Sequence, residues 1–187
     1  MASTYSELGL ELMATGENAG TWGDKTNVNL NLIQQAIAGY EEVTVNGTGT
    51  TPLAITDATL SNGRNAIIKF TGTITGNIIV TIPDSTEKSY IFINGTSGAF
   101  TVQVKTVSGS GFTFAAADKG TRFAYSNGTD IVDVNALLTT INQFNLPTAD
   151  ATASGQVIQS DGSGNLSFTS FAPISTGKSI AMAIVFG

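Results

Sequence analysis

The chain has no cysteine and no histidine, and only 12% of its 187 residues are charged. Without cysteine there is no disulfide framework, no thiolate zinc site and no thiol nucleophile. Without histidine the commonest general base is missing, together with every Ser-His arrangement for nucleophilic catalysis. Lys and Arg number eight against fourteen Asp and Glu, a net charge of −6, and the basic residues form no cluster. That distribution argues against binding a phosphate backbone. The longest uninterrupted apolar run, Ile180 to Phe186, is far short of the roughly 20 residues that span a bilayer. The opening Met1-Ala-Ser-Thr-Tyr5 lacks the basic-then-apolar layout of a signal peptide. No nucleic acid, membrane insertion, cofactor or metal is expected.

What replaces charge is Thr, Ser, Asn and Gly, with Gly counted 21 times. These residues supply neutral hydrogen-bonding surface and turn chemistry. Such a surface suits contact between chains, because a hydroxyl or amide that finds a partner is buried more cheaply than an unpaired Lys or Glu.

Residues 1–40 form an N-terminal segment with helical spacing. Trp22, Leu30, Ile33 and Ile37 fall near one helical face, Thr21 or Asp24 is available as N-cap, and Gly39 marks the stop, so an amphipathic helix is predicted over 24–38. Trp22, the single tryptophan, is expected either to anchor this helix or to plug into a partner's pocket.

Residues 41–134 switch to period two and β-branched residues. Strands are predicted at 42–45, 66–70, 78–82, 89–93, 101–105, 112–115, 122–125 and 131–134. The pairs Asn46-Gly47, Asn62-Gly63, Asn94-Gly95 and Asn127-Gly128 read as tight turns, and three of them open Asn-Gly-Thr triplets better explained by turns than by glycosylation. The expected fold is mainly β, with a central antiparallel β-sandwich or jelly-roll-like domain. The alternating pairs Tyr90/Phe92, Phe112/Phe114 and Phe123/Tyr125 are expected in its core.

Val134, Leu137, Leu138 and Ile141 suggest a short helix over 135–144. Residues 145–187 then read as an extended C-terminal segment: a linker, a hairpin from 156–159 and 165–168, and a terminal strand over 178–186. Asp161, Ser163 and Asn165 imitate the opening of a calcium loop, but its twelfth position is Ala172 rather than Glu, which favours a turn. Acid-base chemistry is left to carboxylates such as Asp57, Asp84, Glu87, Asp118, Asp130 and Asp133, most of which sit in turns. No catalytic residue is assigned, and the chain is expected not to be an enzyme.

The run Thr15-Gly-Glu-Asn-Ala-Gly-Thr-Trp-Gly-Asp-Lys-Thr-Asn-Val-Asn-Leu-Asn-Leu-Ile33 resembles an N-terminal signature of fibre and other virion structural proteins of tailed bacteriophages, particularly marine ones. The segments from Leu146 to Asp150 and from Ser154 to Phe168 are similar to stretches that recur in phage fibre shafts and tips. The resemblance implies a homotrimeric virion component, a short tail or head fibre, a fibre adaptor or a capsid decoration protein, whose N-terminal part attaches to other tail or capsid proteins. Trp22, Leu30 and Ile33 are the candidate attachment residues. Leu137, Ile141, Ile180, Met182, Ile184 and Phe186 are the candidate contacts between copies. A host-surface glycan bound by the β domain is the alternative partner.

Overall fold

A computed structural model of the chain describes residues 2–134, 140–141, 144–145, 147 and 151–170. It divides into two units, 1–135 and 136–187. The first begins with a two-stranded ladder, β1 (Thr4–Tyr5) against β2 (Glu11–Leu12), followed by helix α1 (Trp22–Ala38). The helix stops where the sequence predicts it, and Gly39 is required there for space. A Cβ at that position would come within 2.3 Å of Asn65 Oδ1 and 2.4 Å of the Gln35 carbonyl, which accepts the Gly39 N–H at 2.9 Å.

Nine strands follow: β3 (Tyr40–Thr44), β4 (Gly47–Pro52), β5 (Ile67–Thr71), β6 (Ile74–Ile82), β7 (Glu87–Asn94), β8 (Val102–Thr106), β9 (Gly111–Phe114), β10 (Thr121–Asn127) and β11 (Ile131–Asp133). They build a five-stranded sheet in the order β11-β10-β7-β5-β3 and a four-stranded sheet in the order β4-β6-β8-β9. The chain crosses from one sheet to the other after each of β3 to β7. Thus β3–β4, β5–β6 and β7–β8 are successive coils of a short two-sheet solenoid, with parallel pairing of β3 to β5 to β7 and of β4 to β6 to β8. Each coil takes about 25 residues, within the roughly 20–45 of solenoid repeats. Only the last strands, β9, β10 and β11, join antiparallel.

The mainly β architecture with one N-terminal helix is as the sequence implies, but the expected antiparallel pairing is corrected in the three coils. Period-two alternation looks the same in either direction. Parallel neighbours need a long crossover, usually a helix; here the crossover contains a strand of the opposite sheet, so the sequence shows the short, evenly spaced strands of a sandwich. The Asn-Gly pairs changed roles for the same reason. Asn127-Gly128 closes the β10–β11 hairpin, Asn46-Gly47 and Asn94-Gly95 lie at corners between sheets, and Asn62-Gly63 opens a 3-10 turn over Asn62–Arg64.

The core lies between the sheets. Val43, Ile68, Phe70, Tyr90 and Phe92 of the first sheet meet Ile78, Val80, Val102, Val104 and Phe114 of the second, each such side chain contributing about 1.5–3 kcal/mol. Phe70 and Tyr90 stack on Phe92 at 5.9 and 5.1 Å, and Phe92 reaches Phe112 of the second sheet at 5.9 Å. Phe123 and Tyr125 are not in this core, contrary to expectation: they are 45% and 40% exposed on the outer face, while Ala124 and Ser126 turn inward. Ala124 lies opposite Tyr90, and Arg122 opposite Phe92. The Tyr90 ring fills the space beside Ala124, and Arg122 is accommodated by pairing with Asp118 and Asp133.

In the second unit, β12 (Thr140–Ile141) pairs with β13 (Phe144–Asn145), and β14 (Gln156–Ser160) pairs with β15 (Leu166–Ser170). The first pair corrects the helix predicted over 135–144, since an extended ladder occupies its C-terminal part. The second is the predicted hairpin. Its turn uses both oxygens of Asp161: Oδ1 accepts the N–H of Ser163 at 2.7 Å and of Asn165 at 3.0 Å, and Oδ2 accepts the Asn165 amide at 2.6 Å. The calcium-like spacing is thus spent on the turn.

Candidate interaction surface

Three polar side chains of the segment after β2 converge on Glu11, which is 6% exposed. Asn29 Oδ1 accepts the Glu11 N–H and Asn29 Nδ2 donates to the Glu11 carbonyl, both at 2.9 Å. Lys25 Nζ lies 2.9 Å from Glu11 Oε2, and Asn18 Nδ2 donates to Glu11 Oε1 at 3.1 Å. Lys25 holds the Glu11 carboxyl below its ordinary pKa, and Glu11 raises that of Lys25. Lys25 and Asn29 are four residues apart and share a helical face; Leu32, 1% exposed, continues it. This polar clamp sets the roll of α1.

A second clamp is Arg64, wholly buried in the 3-10 turn. Its Nε donates to the Leu8 carbonyl at 2.8 Å, Nη1 to Thr59 O at 2.6 Å and Gln35 Oε1 at 3.1 Å, and Nη2 to Thr56 O at 2.6 Å. Burial lowers its pKa, but a guanidinium stays charged at any ordinary pH. With carbonyl and amide acceptors around it, the cation ties the N-terminal segment, α1 and the 56–64 loop together. Nothing in the sequence reading singled out Arg64 or Glu11. For Arg64 a signal was present: it is the only charge between Asp57 and Lys69.

With α1 held this way, Trp22, Leu30, Ile33 and Ile37 face outward, with exposures of 65%, 56%, 38% and 74%. At about 100° per residue they make one stripe, so the three predicted attachment residues are brought together on open surface. Trp22 does not fold over the helix start as a buried anchor. Beside the stripe, a groove of about 450 Å³ runs along α1, lined by Asn31, Gln34 and Gln35 of the helix and by Tyr40, Leu60 and Asn65 across from it.

Leu137, Ile180, Met182, Ile184 and Phe186 lie outside the described residues, and Ile141 lies in β12 rather than on a helix. Of the carboxylates, Asp84 accepts the Ser108 N–H at 3.1 Å, Asp130 accepts from both N and Oγ of Ser110, and Asp118 and Asp133 both pair with Arg122. These are turn and ion-pair roles, and they hold the Asp84, Asp118 and Asp130 carboxyls below their ordinary range. Comparison with protein-family models, with curated proteins and with solved structures gives no match to this chain.

Proposed function

We propose that this chain is a structural protein of a tailed-phage virion, a homotrimeric short tail or head fibre or a fibre adaptor, and that it docks on another virion protein through α1. The observation that carries the docking surface is the stripe of Trp22, Leu30 and Ile33, left in water by a helix that Lys25, Asn29 and Gln35 tie to Glu11 and Arg64 and that buries Leu32. An exposed stripe of this size on a rigid support marks an interaction site, and its Trp is of the type that dominates binding energy. Between Thr26 and Tyr40 there is no charged residue, so an apolar groove on the partner fits. The role is one of attachment, without catalysis.

The test is a chain carrying Trp22→Ala, Leu30→Ser and Ile33→Ser, supplied during particle assembly. Loss of incorporation with an unchanged melting temperature supports the reading. Incorporation at the wild-type level overturns it.

A second reading, a host-glycan receptor, is favoured by the groove beside α1. The amides of Asn31 and Gln34 line it without a hydrogen bond among the described residues, and Tyr40 and Leu60 supply apolar wall. Binding on a glycan array, lost in Asn31→Ala with Gln34→Ala, would support this reading over the first.

A further inference from the structure

The register of the five-stranded sheet places Tyr40 opposite Ile67, Ile67 opposite Ile91, and Ile91 opposite Phe123. These four side chains therefore form one continuous row across β3, β5, β7 and β10, on the face turned away from the core. Tyr40 is 51% exposed and Phe123 45%, with Ile67 and Ile91 half-buried between them. The row is extended at two points. Tyr125 lies two residues along β10 on the same face, 40% exposed. Ile37, 74% exposed, lines one hollow of about 300 Å³ together with Ile91 and Phe123.

We propose that this outer face, along the row Tyr40–Ile67–Ile91–Phe123, is the seam at which copies of this chain associate. The proposal rests on the reading of the chain as an oligomeric structural protein; its row lies on the sheet, whereas Trp22, Leu30 and Ile33 lie on α1, and the two surfaces adjoin at Ile37.

Three observations select a second copy as the occupant. The first is charge. In the neighbouring row Glu42 and Lys69 pair at 2.9 Å, and the Tyr40 hydroxyl donates to Glu42 at 2.6 Å. The charges of that row are thus neutralised within one copy, and a face of this kind can meet itself although the whole chain carries −6.

The second is area. At about 200 Å² for a fully exposed large side chain, Ile37, Tyr40, Phe123 and Tyr125 leave roughly 400 Å² of apolar surface in water. With the half-buried isoleucines the patch reaches the upper range of about 300–600 Å² for a monomer's largest patch. With a polar rim it approaches the roughly 800 Å² per partner of a stable interface.

The third is the state of the sheet edges. Edge strand β3 carries Glu41 and Glu42, edge strand β4 carries Pro52, which has no N–H to donate, and the opposite edges are the short β9 and β11. Such edges discourage strand addition. Within these two sheets, the faces are what remains for contact between copies.

The experiment is sedimentation equilibrium of the full chain over a micromolar concentration range, comparing wild type with Phe123→Lys/Tyr125→Lys and with Thr50→Lys, an exposed site on the other sheet. The expected result is wild-type association weakened at least about tenfold in the double variant and unchanged in Thr50→Lys. A wild-type monomer throughout the range, or association equal in all three proteins, overturns the proposal. Should the double variant not fold, hydroxyl-radical footprinting of the wild type decides. Protection of Tyr40 and Tyr125 that grows with association supports the seam, and protection confined to other surfaces overturns it. Failure here leaves particle incorporation through Trp22 untouched, so the two readings fail separately.

Discussion

Asn29 holds Glu11 by both of its backbone groups, accepting its N–H and donating to its carbonyl at 2.9 Å each. A helix side chain thereby takes the place of a neighbouring strand for β2. The orientation of α1 depends on it, and so does the outward stripe.

Asn29→Ala removes both bonds and leaves a buried backbone pair to find water. At about 0.5–1.5 kcal/mol net for each, the N-terminal segment should loosen by about 1–3 kcal/mol. Native-state hydrogen exchange at the Glu11 amide is the measurement. The expectation is faster exchange there, with the core amides of β6 and β8 slowed as in wild type. Equal acceleration everywhere would mean that the clamp is not local.

Gly9 provides a sharper test of the second clamp. Its φ is +71°, and a Cβ there would meet Arg64 Nη2 at 2.6 Å and the Thr56 carbonyl at 2.9 Å. Gly16 has a similar φ of +84° with open space around it. Gly16→Ala should therefore cost only the left-handed penalty of about 1–2 kcal/mol, and Gly9→Ala clearly more, because the guanidinium must shift from its carbonyl acceptors. Urea denaturation of the two variants compares them directly. Equal costs would show that Arg64 is not held as tightly as its bonds imply.

Lys88 gives a pH dependence whose sign is fixed. Its ammonium donates to the carbonyls of Asn65 and Ser89 and lies 3.8 Å from the centre of the Tyr90 ring. Burial, with the nearby Arg64 charge, brings its pKa down to about 8. Below that value the lysine is protonated both folded and unfolded, and the full cost of burying the cation is present. Between about 8 and the ordinary 10.5 only the unfolded chain holds the proton, so stability rises with pH. The gain is at most about 3 kcal/mol, less where solvent screens the group. Burial raises the Tyr90 phenol, which acts in the opposite direction above its ordinary value of 10. Urea midpoints at pH 7.5 and 9.5 should show the rise in wild type. Lys88→Met should abolish it and be the more stable protein at pH 7.5.

Eight of the nine strands from β3 to β11 were legible because each shows period-two alternation, which a half-buried sheet imposes whatever its pairing. Their direction was not, since Ile68 opposite Phe92 on a parallel neighbour has the same pattern that an antiparallel partner would give. β4 was missed because Gly47-Thr-Gly-Thr-Thr-Pro52 has little strand propensity; its place is set by the need of the first coil for a strand in the second sheet. On α1 the apolar stripe was visible, but not the side it faces. Apolar periodicity alone points Trp22 and Ile33 inward, whereas Lys25, Asn29 and Gln35, bonded to Glu11 and Arg64, turn them out. Those bonds join residues distant in sequence, and no local pattern reports them.

The single tryptophan makes the proposed attachment surface readable in solution. Trp22 is 65% exposed at the first position of α1, so in the isolated chain its fluorescence should be solvent-like and readily quenched by acrylamide. Docking through the stripe removes the indole from water. On the proposed function, addition of the virion protein on which the chain docks should shift the emission to the blue and cut quenching severalfold. Trp22→Phe would lose the signal yet keep most of the apolar surface, so its incorporation into particles should fall less than that of Trp22→Ala. An indole that stays fully quenchable in the bound complex would place attachment on another surface, with α1 only supporting it.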